Sequence, residues 1–254
     1  MEAYMEIKYL EWNLHAMGGI GYEIPSFVSK CINSVDIFAL VEFCASNGWE
    51  EFKHDLEKEF DLYCSPFVSK GYNQVCIGVR RNLMYKLIAV KTVDVCDVNR
   101  PEFLQVDIEI ENKKLSIIGT RIKTKSDTKL IQYNYLKSCF NNIDRFLCLG
   151  DFNCVHNTLS EYFSSVAEVY GPRIVNDYHS FVFKDGDRVG LDWLVEKGLD
   201  SVYNGYQDVK CSPIATYDWS FLTEENGYLG KTENDYLGIK GLPDHAMLKG
   251  MVKI

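Results

Sequence analysis

No window of the sequence approaches the roughly 18 consecutive apolar residues that a membrane-spanning helix needs, so no membrane span is expected. Cysteine motifs are missing as well. The nine cysteines, an odd number, show no CxxC spacing and no Cys/His cluster of zinc type. Free, mostly buried thiols in a reducing cytosol follow from that pattern, and a cytoplasmic, soluble protein is the expectation. The opening Met1-Glu2-Ala3-Tyr4-Met5-Glu6 carries acids where a signal peptide has a basic segment, and no apolar segment follows. Basic surplus is also absent: 27 Lys and Arg stand against 36 Asp and Glu, a formal charge of −9. Such a chain has no broad cationic surface for a polyanion, and any grip on nucleic acid must come from a local groove. Acidity does not exclude a nuclease, because a metal site built from carboxylates is acidic when empty. Internal repeats, low-complexity tracts and Pro- or Ser-rich linkers are missing too, which predicts one domain over residues 1–254; a monomer is the expectation, although the sequence carries no signal for oligomeric state.

What recurs is a short apolar or β-branched run that stops at a polar residue. Tyr9 to Trp12 stops at Asn13, Ile37 to Val41 at Glu42, Leu115 to Ile118 before Gly119-Thr120-Arg121, and Phe146 to Leu149 before Gly150-Asp151. These runs have strand length. Helical spacing appears at Ser26 to Ser34, Trp49 to Phe60 and Thr128 to Ile143, the last behind a possible Asp127 cap. Val75 to Val79, Leu87 to Val95 and the alternating Leu104, Val106, Ile108 and Ile110 read as half-buried antiparallel strands, with Asn112-Lys113 turning the last into the next run. Long loops are expected between Asn157 and Gly241. Helices interspersed with such strands predict sheets packed on each other and covered by helices.

The most specific chemical signal is Leu149-Gly150-Asp151-Phe152-Asn153. Asp151 and Asn153 would point the same way if the strand continued, whereas a strand-ending Asx turn is the plainer alternative. In Pro243-Asp244-His245 a carboxylate beside an imidazole can hold and tune it, although such a pair also occurs in capped turns. Glu42 is a solvated strand end or a hard-cation ligand, and Asn13 is equally open by itself.

The order of these motifs resembles the endonuclease/exonuclease/phosphatase superfamily, with Trp12-Asn13, Val41-Glu42, Gly150-Asp151-Phe152-Asn153 and Pro243-Asp244-His245 in its sequence of motifs. Leu191-Asp192-Trp193-Leu194-Val195 looks like a fifth family segment. The resemblance implies a four-layer α/β/β/α sandwich of two packed mixed sheets, with the site where strand ends converge. It further implies Mg²⁺ or Mn²⁺ held by Glu42, with Asn13 and Asp244 nearby directly or through water. Asp151 would orient or deprotonate the attacking water, Asn153 and His245 would donate to phosphate oxygens, and Asp192 would bond the other ring nitrogen of His245. An oxygen-held divalent ion and fixed donors suit phosphoryl transfer.

Three departures stand out. His15 lies where many nuclease relatives carry Asp or Asn, Pro243 replaces a serine, and Thr120-Arg121 stands where phosphatase relatives have Thr-His. Arg121 can bind phosphate through its planar fork but cannot donate a proton near neutral pH. His54 reads as solvated and His156 as local packing, with His179 left open. Tyr217, Trp219, Phe221 and Tyr228 could stack bases but read better as packing. The expectation is a metal-dependent phosphodiesterase acting on nucleic acid. A phosphatase of nucleotides, sugar phosphates, inositol phosphates or lipid head groups is the alternative, and a silent binding module of the same fold is a third reading.

Overall fold

A computed structural model of the chain describes residues 5–15, 23–45, 47–68, 72–94, 96–170, 179–183, 185–201, 215–228 and 242–254. In chain order the elements are β1 (Glu6–Asn13), α1 (Phe27–Ile32), β2 (Ile37–Phe43), α2 (Trp49–Leu56), β3 (Phe60–Cys64), β4 (Gln74–Arg80), β5 (Lys86–Thr92) and β6 (Glu102–Ile110). Then come β7 (Lys113–Arg121), α3 (Ser126–Asn141), β8 (Phe146–Asp151), α4 (His156–Phe163), β9 (Glu168–Tyr170), β10 (Phe181–Val182), β11 (Arg188–Val189), β12 (Asp192–Lys197), β13 (Asp200–Ser201), β14 (Thr216–Asp218) and β15 (Met247–Lys253). Two mixed sheets result. The first runs β13-β15-β1-β2-β4-β3 with β14 alongside β15, and the second runs β5-β6-β7-β8-β12-β9.

Side-chain alternation along these strands builds the layers. One set of residues, including Ile7, Tyr9, Ala39, Val41 and Ile77, meets Val106, Ile117, Leu147 and Leu149 from the second sheet in the central core. The opposite set on the first sheet, among them Leu10, Trp12, Phe38 and Leu40, packs under Phe27, Val28, Phe52 and Leu56 of α1 and α2. On the second sheet Ile118, Phe146, Cys148 and Val195 pack under Tyr133, Leu136, Phe140, Leu159 and Phe163 of α3 and α4. The arrangement is therefore helix, sheet, sheet, helix. Each fully buried Leu, Ile, Val or Phe in it contributes about 1.5–3 kcal/mol. Each sheet holds a parallel pair joined through a helix, β1-α1-β2 and β7-α3-β8, and the other strand pairs are antiparallel. Strands in those two units point the same way, so their carboxyl ends gather the polar residues that stopped the apolar runs.

Several expectations need correction. Helix α2 stops at Leu56, and Phe60 opens β3, an edge strand too short and half-exposed to show alternation. Helix α3 begins at Ser126 after an extended Lys125, so Asp127 is not its cap. It lies in the first turn, where a carboxylate still favours the helix dipole. The β6–β7 turn is Glu111-Asn112, both at positive φ (50° and 63°), one residue earlier than expected. Strand β5 is an edge strand, and its Leu87, Ile88 and Val90 are exposed rather than half-buried; Val95 lies outside the described residues. Between Asn157 and Gly241 the described portions hold most of α4, the short strands β9 to β11, β13 and β14, and the buried strand β12. Strands of two or three residues leave no periodicity to read.

Candidate active site

Strand register lines up four charged residues across the second sheet. Glu102 of β6 pairs with Arg121 of β7, Arg121 with Asp151 of β8, and Asp151 with Asp192 of β12. Paired residues in a sheet project to the same face, so the row is a consequence of backbone pairing. Gly150 permits the close approach of β8 to β7, since a methyl group there would lie 1.9 Å from the Thr120 carbonyl oxygen. From the first sheet come Asn13, the last residue of β1, and Glu42, near the end of β2. The pairing of β2 with β4 is irregular between Leu40 and Phe43, and Glu42 sits inside that bulge at φ 46°. A bulge re-aims a side chain, and a non-glycine residue at positive φ is held there only by its surroundings.

All eight residues singled out for chemistry enter one network. Asn13 donates from Nδ2 to Glu42 Oε1 at 3.3 Å and Asp151 Oδ2 at 3.1 Å. Arg121 Nε lies 2.6 Å from Glu42 Oε1 and 3.8 Å from Asp151 Oδ2, and its Nη1 donates to Glu102 Oε1 at 3.1 Å. His245 Nδ1 is 2.8 Å from Asp192 Oδ2, and its Nε2 is 4.0 Å from Asp244 Oδ1. Asn153 departs from the extended geometry: it lies at φ 48°, its N–H donates to Asp151 Oδ1 at 2.8 Å, and Nδ2 donates to Asp151 Oδ2 at 2.9 Å and Ile122 O at 2.7 Å. The Asx turn is therefore present, and both amide hydrogens of Asn153 are engaged. Donation to a phosphate would require release of one of them.

Residues outside the predicted set brace this network. Glu102 anchors Arg121, and the signal for it was the hairpin register, which a two-residue turn dictates. His15 bridges two acids, with Nδ1 3.4 Å from Glu42 Oε2 and 3.6 Å from Asp244 Oδ2. Trp12 Nε1 donates to the His245 carbonyl at 2.9 Å, and Tyr217 donates to the Asp192 carbonyl at 2.7 Å. Lys129 and Tyr133 of α3 donate to the Asn153 and Phe152 carbonyls at 2.7 and 2.6 Å, pinning the turn after β8. Tyr217 and Phe221 are buried, while Trp219 and Tyr228 pack against the cores, so this aromatic set serves packing. His156 bonds the Val169 carbonyl and packs on Trp193, and His54 is solvated beside Glu57. His179 is buried against Trp219, whose Nε1 bonds its carbonyl.

Burial and charge set the protonation states. Burial alone would raise Glu42, but the His15 hydrogen bond and the Arg121 charge bring it down to about 2. Burial opposes charge on His245, yet Asp192 raises it to about 10, which makes imidazolium the resting form. Asp151 is raised above the ordinary carboxylate range by burial and by Asp192 beside it. Burial likewise pushes Glu102 up to about 7 despite the guanidinium at its side. The buried Glu11 carboxyl is raised well above that range by burial, then by Asp192 and Asp151.

Among the described residues no group of three or more His, Cys, Asp or Glu side chains converges on one metal position. A magnesium-type ion nevertheless needs only one or two carboxylates, with water and phosphate completing its shell. Glu42 is ionised, Asp244 Oδ1 is buried without a partner, and oxygens of both lie close to the same His15 nitrogen. This donor set fits a hard divalent cation. The Asn13 oxygen accepts the His15 N–H at 2.9 Å, which suits Asn13 better to holding Glu42 than to direct ligation.

The architecture has relatives of known structure. TDP2 of D. rerio, complexed with single strand DNA product, is 9% identical over 97% of this chain and 98% of that one, with a TM-score of 0.61. This is the endonuclease/exonuclease/phosphatase, DNase I-like fold. An endonuclease/exonuclease/phosphatase from Bacteroides vulgatus is 11% identical over 98% of both chains at TM-score 0.64. The human Nocturnin catalytic domain with bound sulfate anion is 14% identical over 98% of this chain and 96% of that one, at 0.63. No family model matches the chain, and no curated protein sequence does. At these identities the likeness speaks for the fold alone.

Proposed function

We propose that the chain is a Mg²⁺- or Mn²⁺-dependent phosphodiesterase that hydrolyses nucleic acid. The observation that carries this reading is the meeting of Asp151, the Asp192–His245 pair and Glu42 at the seam of the two sheets. Asp151, with its raised proton affinity, takes a proton from the attacking water, as a general base near its operating pH does. His245 is held as an imidazolium by Asp192 and donates from Nε2 to the phosphate oxygens, where charge grows in the transition state. Arg121 adds a fixed positive charge on the side of Glu42. Asn153 and Asn13 hold the Asp151 carboxylate by hydrogen bonds, which spares reorganisation during the reaction. Glu42 and Asp244 would hold the cation, which when bound supplies Lewis-acid stabilisation of the phosphoryl group. The single strand DNA product in the D. rerio TDP2 structure supports a nucleic-acid substrate.

The eight described cysteines are free, in keeping with a reducing cytoplasm, and the chain is read as one domain acting as a monomer. No helix among the described residues is long and apolar enough to cross a membrane. The net charge of −9 favours the second reading, a phosphatase of small phosphoesters. The deciding experiment is a panel of single-stranded DNA, RNA, supercoiled plasmid, abasic duplex, nucleotides and inositol phosphates, each with Mg²⁺ and with chelator. Metal-dependent cleavage confined to the small phosphates would replace the nuclease reading. Absence of turnover on every substrate would remove the enzymatic one.

A further inference from the structure

The carboxylate best placed to take a metal already carries a guanidinium on one oxygen and has an imidazole beside the other. Arg121 Nε stands 2.6 Å from Glu42 Oε1, and His15 Nδ1 stands 3.4 Å from Oε2. The Arg121 contact is a meeting of charges rather than a directed hydrogen bond, since Nε has no acceptor in line with its N–H. Arg121 is not free to leave the neighbourhood, because β6 and β8 fix it between Glu102 and Asp151, and Glu102 holds Nη1 at 3.1 Å. Glu42 is equally restrained by the bulge at its own backbone and by Asn13. Two restrained groups of opposite charge thus face each other where a divalent ion would need the carboxylate for itself. Only about a fifth of the Arg121 side chain is exposed, so water screens its charge weakly.

We infer that Arg121 is a built-in counter-cation of Glu42 which a divalent metal must displace or outweigh, so that this residue sets a weak affinity for the metal. The inference rests on the metal-dependent reading above. Arginine keeps its charge at every pH the fold survives, so the competition cannot be relieved by deprotonation. A unit charge about 4 Å from a cation position acts there with far more than thermal energy at an effective dielectric constant of about 20. Removal of the charge should tighten metal binding by at least about tenfold. Glu102 moderates the effect by sharing the guanidinium.

The test is Mn²⁺ binding without substrate, followed by calorimetry and by loss of the free-ion spin-resonance signal, on the full chain. Arg121→Ala should bind Mn²⁺ at least about tenfold tighter than wild type, and Glu42→Gln should abolish binding. Arg121→Ala leaves Glu102 buried without its cation, so the paired variant Glu102→Gln/Arg121→Gln, which at pH 8 removes both charges, serves if the single variant fails to fold. It should tighten binding in the same direction by a smaller factor. Arg145→Ala, at the opposite end of β8 and bonded to the Gly198 carbonyl, should bind as wild type does. Unchanged or weaker affinity in the Arg121 variants, with Glu42→Gln still abolishing binding, overturns this inference and leaves the metal-dependent reading standing. No Mn²⁺ bound by wild type or by any variant overturns both.

Discussion

Replacing Glu102 by Gln should flatten the pH dependence of stability, and the size of the effect follows from its surroundings. The side chain is 14% exposed, accepts from Arg121 Nη1 at 3.1 Å and from Asn73 at 3.2 Å, and leaves Oε2 buried without a partner. Burial outweighs the guanidinium and lifts the carboxyl to about 7, whereas an unfolded chain would titrate it near about 4.3. Between those values the unfolded state has lost the proton and the folded state keeps it. The unfolded state then binds fewer protons, so stability falls as pH rises through this window. The stabilising contribution is complete below about pH 4.3 and gone above about pH 7, a total on the order of 4 kcal/mol. In a chain of this size that corresponds to roughly 8–16 °C in melting temperature. Glu102→Gln has no proton to keep and should lack this loss. Other titrating groups are common to both proteins and cancel in the difference. Urea unfolding of wild type and variant at pH 4.5, 6 and 8 measures it, and parallel curves would refute the argument that burial dominates at Glu102.

Asp151→Asn and His245→Ala should each lower kcat by roughly 10²-fold or more with folding intact, because one handles the nucleophile and the other the transition-state charge; a folded variant with near wild-type kcat would relocate the site. Hydrolysis should vanish in excess chelator and return with Mg²⁺ or Mn²⁺, and full activity in chelator would remove the metal from the mechanism. Gly150→Ala should destabilise the fold by about 1–3 kcal/mol, since its methyl group would meet the Thr120 carbonyl at 1.9 Å, and an unchanged melting temperature would show that β7 and β8 can part without cost.

Much of this was readable where burial and pattern coincide. Tyr9 to Trp12, Ile37 to Val41 and Phe146 to Leu149 are buried strands, and the polar residues that stop them converge because their strands run parallel in pairs. The backbone turns that aim the side chains were hidden. Nothing in the residue types around Glu42 announces a bulge with positive φ, and Asp151-Phe152-Asn153 was open between a continuing strand and an Asx turn, of which the chain adopts the turn. Glu102 carries no local signal, because its partner is 19 residues away and is reached only through the register of a hairpin. The edge strand β5 misled for the opposite reason: Leu87, Ile88 and Val90 have strand chemistry but lie exposed.

The Glu111-Asn112 turn stands nine residues from Arg121 along β7, about 30 Å of extended chain. It nonetheless acts as the ruler that decides what Arg121 faces. One residue inserted there, with β6 sliding to take up the slack, would bring Pro101 or Phe103 opposite the guanidinium in place of Glu102. The distal tip of this hairpin, far from any phosphate, is thus as much a determinant of the site's electrostatics as the residues that line it, and loop length there should be among the least tolerant features of an otherwise permissive surface.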